Sequence, residues 1–226
     1  QTLGKKAFLA SNKTELQSQF ELIRSKYDIS KTFTQELIPF DGTNKTISYT
    51  AFCVNGEVKA HWAGVKLREH PVQFGTATFA QSVYVGECHK QSVILLKELN
   101  YTGVCEVEYL KDPRDGKYKL IEINPRTWLW VGLAKACGVD YAKIIYDYSN
   151  GTLIDYPEEY KTDMYWVNPF SDLVFSLVAI LKGKLSPAAY LKSAFRYEKV
   201  NALFVRGDIK PGIMYFTKVF SFLRNR

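Results

Sequence analysis

The chain is short of methionine, with Met164 and Met214 its only two, and neither opens it. The expectation is therefore that these 226 residues are part of a longer protein. Four cysteines, Cys53, Cys88, Cys105 and Cys137, are scattered without a Cys-x-x-Cys pair. That excludes a disulfide scaffold or a zinc ribbon and points to reduced thiols in a cytosolic setting. No long hydrophobic run is present. The longest uncharged one, Leu173 to Leu181, sits between Asp172 and Lys182 and falls far short of the roughly 20 residues that cross a bilayer. No secretory signal, internal repeat or low-complexity stretch is visible. A Gly-x-Ser-x-Gly elbow and a paired Cys/His signature are also missing, so covalent catalysis by a side-chain nucleophile has no candidate.

What is there is a globular composition, 46% apolar, 15% aromatic and 23% charged. The formal charge of +7 is unevenly spread. From Lys182 onward ten Lys or Arg face only Glu198 and Asp208, about +8, which leaves the first 181 residues near −1. This is not a nucleic-acid binder, because charge and aromatics are not interleaved on any one strand. The basic tail is also greasy, with Phe170, Leu173, Val174, Leu177, Val178, Ile180 and Leu181 in one cluster and Tyr190, Leu191 and Phe195 in another. Such a segment can lie on an anionic membrane or receive an acidic partner. Ordinary helices with solvated lysines account for it more simply.

Along the chain, Lys6 to Ala10 reads as a strand, and Asn12 with Glu15 caps a helix reaching about Tyr27. Phe33 to Ile38 reads as a strand ended by Pro39 and the turn Asp41-Gly42-Thr43-Asn44. Ile47–Val54 and Glu57–Arg68 form a hairpin around Asn55-Gly56. A helix spans Glu87 to Leu99, and a second hairpin joins Gly103–Leu110 to Lys117–Asn124. Helices follow, one running from Pro125 to a stop at Gly138 and one capped by Asp140. Hairpins alternating with helices make an α+β chain.

The second hairpin is the most informative stretch. By parity, Cys105, Val107, Tyr109, Ile121 and Ile123 share a core face. Glu106, Glu108, Glu122 and Asn124 share the other. A five-residue turn at 113–117 sets Glu108 opposite Glu122 and Glu106 opposite Asn124. Like charges across a sheet repel, so the clustered acids need a reason. A divalent cation of the magnesium or manganese kind supplies one. The other account is an exposed face neutralised by Lys117 or Lys119, although parity sends those lysines to the opposite side. On the first hairpin, Lys66 and Arg68 end a strand whose same-parity positions are Val58, Ala60 and Trp62. Two cations finishing an inward face suit an anionic ligand, or else simply an exposed strand end. His61, His70 and His89 are scattered and read as packing or surface residues, and Trp128 and Trp130 read as core on a helix.

Glu122-Ile123-Asn124-Pro125-Arg126, with Val107-Glu108-Tyr109 and the turn Asp112-Pro113-Arg114-Asp115-Gly116 upstream, resembles the metal-binding end of the ATP-grasp superfamily, in its carboxylate-amine ligase or carboligase branch. That resemblance implies a ligase that binds ATP and Mg2+ (or Mn2+). It would join a carboxylate to an amine or similar nucleophile through an acyl-phosphate. It implies metal ligands Glu108, Glu122 and Asn124, and Arg126, Lys66 and Arg68 acting on the transferred phosphate. Glu36, Leu37 and Ile38 would form the adenine-holding hinge, and the loop from Asp41 to Asn44 a ribose contact. Lys6 either touches phosphate or only begins a strand.

The resemblance covers roughly residues 1–150, while the family's N-terminal lobe and glycine-rich phosphate loop have no counterpart in this sequence. The division it implies is 1–45 as a remnant of the nucleotide-binding subdomain and 46–156 as the metal and phosphate subdomain. That subdomain is an antiparallel sheet flanked by helices, and 157–226 is then a helical basic extension. The partners expected are small-molecule carboxylate and amine substrates and no nucleic acid, with membrane contact through the tail and a homo-oligomer both left open. The competing reading is a non-catalytic binding module that keeps the fold and docks through its basic tail.

Overall fold

The structure, a computed structural model, describes residues 8–71, 75–152, 156, 158–195, 198–205, 207–215 and 217. It divides into two compact units, 1–37 and 38–226. In the first, helix α1 (Lys13–Arg24) starts where the sequence places it. The Asn12 side chain accepts from the Glu15 N–H at 2.9 Å, which satisfies one of the orphan donors of the first turn, and the Glu15 carboxylate reaches back to accept from the Ser11 N–H just before the cap at 2.7 Å. A single 3₁₀ turn, Ile29–Lys31, follows. The strand expected at Phe33 to Ile38 does not form; that stretch lies outside helix and strand. Alternating apolar residues make a strand only where a neighbour takes up the backbone hydrogen bonds, and none pairs with it among the described residues.

The second unit is a mixed seven-stranded sheet in the order β5-β4-β1-β2-β3-β6-β7, flanked by helices. Strands β1 (Thr46–Val54) and β2 (Glu57–His70) meet through Asn55-Gly56, both at positive φ as a two-residue hairpin turn requires. Strand β3 (Thr76–Ser82) continues antiparallel, and helix α2 (Gly86–Glu98) packs back on the sheet. Strands β4 (Gly103–Lys111) and β5 (Tyr118–Asn124) form the second hairpin on the other side of β1. Then come α3 (Val131–Ala136) and α4 (Tyr141–Ser149), the latter capped by Asp140 as expected. Strand β6 (Tyr165–Val167), helices α5 (Pro169–Leu181) and α6 (Pro187–Phe195) and strand β7 (Lys199–Asn201) complete the order. β6 extends the sheet beyond β3, and β7 pairs with it in parallel. Strands β6 and β7, within the stretch expected to be a helical extension, thus belong to the same sheet.

Two cores result. On one face Tyr49, Ala63, Val65, Cys105, Val107 and Tyr109 meet Cys88 and Leu96 of α2. On the other, Trp62 meets Trp128, Trp130 and Leu133, together with Tyr141 and Ile144 of α4. Trp128 and Trp130 are core, as expected, but precede α3 rather than sit on it. Gly64 makes room for the indoles: a Cβ there would fall 2.4 Å from Trp62 and 2.5 Å from Trp130. Each buried aromatic of this kind stabilises by roughly 2–3 kcal/mol. The acidic residues lie on this second face, beyond the indoles, in the rows set by the register: Glu108–Ser48–Gly64 and Glu106–Thr50–Trp62.

Candidate functional site

Strand pairing puts Glu106 opposite Asn124, and Glu108 directly opposite Glu122. The turn differs from the expected five residues. The register slips between Glu108 and Tyr109, so that Tyr109 faces Leu120 and the extra residue, Ile121, is a bulge. The slip falls beyond the acids and leaves them on one face. At the turn the Asp112 N–H donates to the Lys117 carbonyl, and Arg114 folds back on the Asp112 carboxylate at 2.6 Å.

The acids are not left to repel one another. Lys66 reaches over β1 and its Nζ donates to Glu108 Oε1 at 2.8 Å, both side chains being buried, with Glu69 Oε2 at 3.9 Å. Burial pulls the Lys66 pKa down, but the charge and hydrogen bond of Glu108 outweigh it and hold the pKa above the ordinary value. The neutralising lysine therefore comes from a different strand from Lys117 and Lys119; Lys119 pairs instead with Asp115 at 2.6 Å. Asn124 Nδ2 donates to Glu122 Oε1 at 2.9 Å and to Glu106 Oε2 at 3.3 Å, and Arg126 donates to Asn124 Oδ1 at 3.2 Å. Two hydrogen-bonded groups result, Lys66 with Glu108 and Asn124 with Glu106, Glu122 and Arg126, set side by side by the strand register.

Glu106, on the same face but not among the expected ligands, is the most perturbed member. It is 3% exposed. Burial first, and then the Glu108 charge, push its pKa up to about 7 against the pull of Lys66, Ser48 and Arg126. Its Oε1 and the nearby Ser48 hydroxyl are both buried and close no well-aligned hydrogen bond. The carboxyl groups of Glu106, Glu108 and Glu122 are gathered beside Lys66 and Arg126. In the conformation seen, no three His, Cys, Asp or Glu side chains among the described residues converge tightly enough to hold an ion. The donors are nonetheless hard oxygens with one orphaned, a set that suits Mg2+ or Mn2+ once Lys66 gives way.

Arg68 does not join these groups. Parity along β2 holds only from Ala60 to Lys66, because the register slips at Lys59 on one side and at Leu67 on the other. Lys66 pairs with Ala80, but Arg68 pairs with Phe79, the neighbour of opposite parity. Its guanidinium lies over the Phe79 ring and grips Asp172 of α5 through two hydrogen bonds of 2.7 and 2.6 Å. An inserted residue turns a strand over without leaving a mark in an alternating pattern, which is why the shared face expected for Lys66 and Arg68 is not observed. Of the expected hinge, Glu36 and Leu37 close the first unit and Ile38 opens the second, all outside helix and strand. Lys6 lies outside the described residues. Asp41 caps its own turn, accepting from the N–H groups of Thr43 and Asn44, and that turn borders a cleft of about 490 Å³ lined also by Lys45, Lys111 and Tyr118. The histidines pack: His61 and His89 lie 4.5 Å apart beneath Tyr49, and His70 stacks on Phe175.

Residues 72–155 match the family described as carbamoyl-phosphate synthase L chain, ATP binding domain. The chain is 30% identical over 128 residues to a D-aspartate ligase of Enterococcus faecium, a match spanning 54% of this chain and 30% of that protein. It is 35% identical over 81 residues to the carbamoyl phosphate synthase large chain of Methanobrevibacter smithii, which spans 35% of this chain and 7% of that one. Among solved structures, a biotin carboxylase of Campylobacter jejuni bound to a β,γ-ATP compound superposes with a TM-score of 0.52 at 14% identity. The biotin carboxylase domain of the 2-oxoglutarate carboxylase of Hydrogenobacter thermophilus, solved with MgADP and bicarbonate, does so at 0.51 and 17%. Each superposition covers 68% of this chain and 36% of the other. The chain thus spans little more than a third, at most, of the proteins it resembles. The acidic hairpin thus lies within the stretch that matches an ATP-binding domain, on a sheet with the fold of the biotin carboxylases.

Proposed function

We propose that this chain is the phosphate- and metal-binding part of an ATP-dependent ligase that activates a carboxylate as an acyl-phosphate and passes it to an amine. The observation that carries the reading is the pair Glu108 and Glu122, facing each other across one ribbon beside Asn124, with Lys66 bonded to Glu108 and Arg126 to Asn124. Phosphoryl transfer asks for alignment and charge compensation more than for a covalent partner, and the chain offers that in place of a nucleophile.

In this reading Glu108, Glu122 and Asn124 hold Mg2+ or Mn2+, and Glu106, on the same face, lends its orphaned oxygen. The ion would supply charge neutralisation on the nucleotide phosphates. The chain's own residues do the rest. Lys66, released from Glu108, carries its positive charge to the transferred phosphoryl group. Arg126, exposed beside Asn124, orients the substrate carboxylate. Trp62 and Trp130 wall the face on its inner side and keep water from it. The D-aspartate ligase and carbamoyl phosphate synthase likenesses support the ligase class.

Calorimetric titration of the 226-residue chain with Mg-ATP, and with Mn2+ alone, tests this. Glu122→Ala should weaken the binding of both by about tenfold or more. Equal affinity in variant and wild type would remove the metal role and the reading with it.

A further inference from the structure

Helices α5 and α6 are inside out. The fully buried side chains of α5 are Asp172 and Ser176, and that of α6 is Ser193. Leu173, Val174, Leu177, Val178 and Leu181 face outward, Leu177 half exposed and Leu181 87% exposed. At about 100° per residue these five lie on an arc centred roughly 170° round the helix from Asp172. Leu191 and Phe195 of α6 sit about 160° and 200° from Ser193 by the same count, and Phe195 is 84% exposed. A surface helix normally turns its apolar stripe to the core.

The orientation is fixed by hydrogen bonds that cannot be kept if either helix rolls over. Arg68 donates twice to Asp172 and once, at 2.9 Å, to Ser193 Oγ, while Thr78 donates to Asp172 at 3.0 Å. Asn168 caps the start of α5, and its end closes at Gly183, where the Lys184 N–H donates to the Ala179 carbonyl at 2.8 Å. Both helices are thus pinned by their polar sides to β2 and β3, and their oily sides point away from the sheet.

We propose that this outward face is a docking surface for an anionic phospholipid bilayer. Lys182 and Lys184, exposed in the connection between the two helices, and Lys192, exposed on α6, rim the apolar side chains. The chain from Lys182 onward carries a net charge of about +8. Leucine, valine and phenylalanine flanked by lysine is the chemistry of an interfacial helix, in which apolar side chains enter the acyl boundary and ammonium groups meet lipid phosphate. A second copy of the chain fits less well, since this face against itself would bring like charges together. The surface acts independently of the acidic site and does not depend on the ligase reading.

Co-sedimentation of the folded chain with vesicles of phosphatidylcholine alone, and with about 30% phosphatidylserine added, tests the proposal. Partition onto the anionic vesicles should be about tenfold stronger and should fall in high salt. The pair Leu177→Gln and Leu181→Gln replaces exposed side chains and should leave the circular dichroism unchanged while lowering that partition by about tenfold. Lys182→Gln with Lys184→Gln should lower it several-fold. The proposal is overturned if the folded wild type ignores anionic vesicles, or if the leucine variant binds them equally well. A concentration-dependent dimer, abolished by the leucine variant in a chain that does not bind vesicles, would assign the face to a second copy instead.

Discussion

One strand sends two cations into two buried ion pairs, and the pairs are opposites. Arg68 meets Asp172 in a closed arrangement: both carboxylate oxygens are taken, Thr78 and Ser193 complete the shell, and charge balances charge. Lys66 meets Glu108 in an open one, with Glu106 and Glu122 close by and one carboxylate oxygen orphaned. The closed pair has nothing left to bind and ties α5 and α6 to the sheet. The open pair crowds carboxyl groups together, and holding their charges side by side costs stability unless a cation shares them. Buried charge marks function here only where its hydrogen bonding is incomplete.

Breaking the closed pair should have the largest effect. Asp172→Ala leaves the Arg68 guanidinium without its counter-ion and should cost about 3–5 kcal/mol, read as a lowered urea midpoint. Replacing both partners, Arg68→Met with Asp172→Leu, should recover most of that loss. If Asp172→Ala unfolds at the wild-type midpoint, the pair is not what holds these helices.

The open pair should respond to pH instead. Glu106 keeps its proton in the folded chain up to about pH 7, whereas in the unfolded chain it loses it near 4.5. Between those values the folded state binds the extra proton, so the contribution of Glu106 to stability falls as pH rises. His61, buried neutral with its pKa lowered to about 4 by burial and by His89, acts in the opposite sense over much of the same range. Comparison with a variant separates the two. Glu106→Gln should match wild type near pH 4.5 and exceed it by on the order of 2 kcal/mol by pH 7.5. Parallel stability curves for the two proteins would show that Glu106 ionises without hindrance.

The smallest effect sharpens the contrast most. Glu122 is exposed, so Glu122→Ala should shift stability by less than about 0.5 kcal/mol, measured by the same urea titration, while weakening Mg-ATP binding. A large loss of stability would make Glu122 part of the scaffold and not of the site.

Much of the hairpin chemistry was legible beforehand because it is local. Alternation alone put Glu106, Glu108, Glu122 and Asn124 on one side, Asn55-Gly56 announced its turn, and Asn12 and Asp140 announced their helices. Reasoning from parity failed at Ile121, at Lys59 and at Leu67, where one inserted residue reverses a face, and only at Leu67 did that move a candidate residue, Arg68. The pattern at Phe33 to Ile38 looked like a strand and found no strand partner among the described residues. Glu106 stood on the right face, but nothing local marks it as the acid whose proton is held.

By itself the sequence determined which residues alternate, where turns and caps fall, and that acids cluster on one ribbon, because these depend on backbone sterics and on neighbours within a few positions. Only the tertiary structure decided that Lys66 and not Lys119 answers those acids, that Arg68 leaves the site for Asp172, and that α5 turns its leucines outward. Each of these outcomes is a choice among partners far apart along the chain. It is settled by which charges can be desolvated together, and spacing in the sequence carries no record of that.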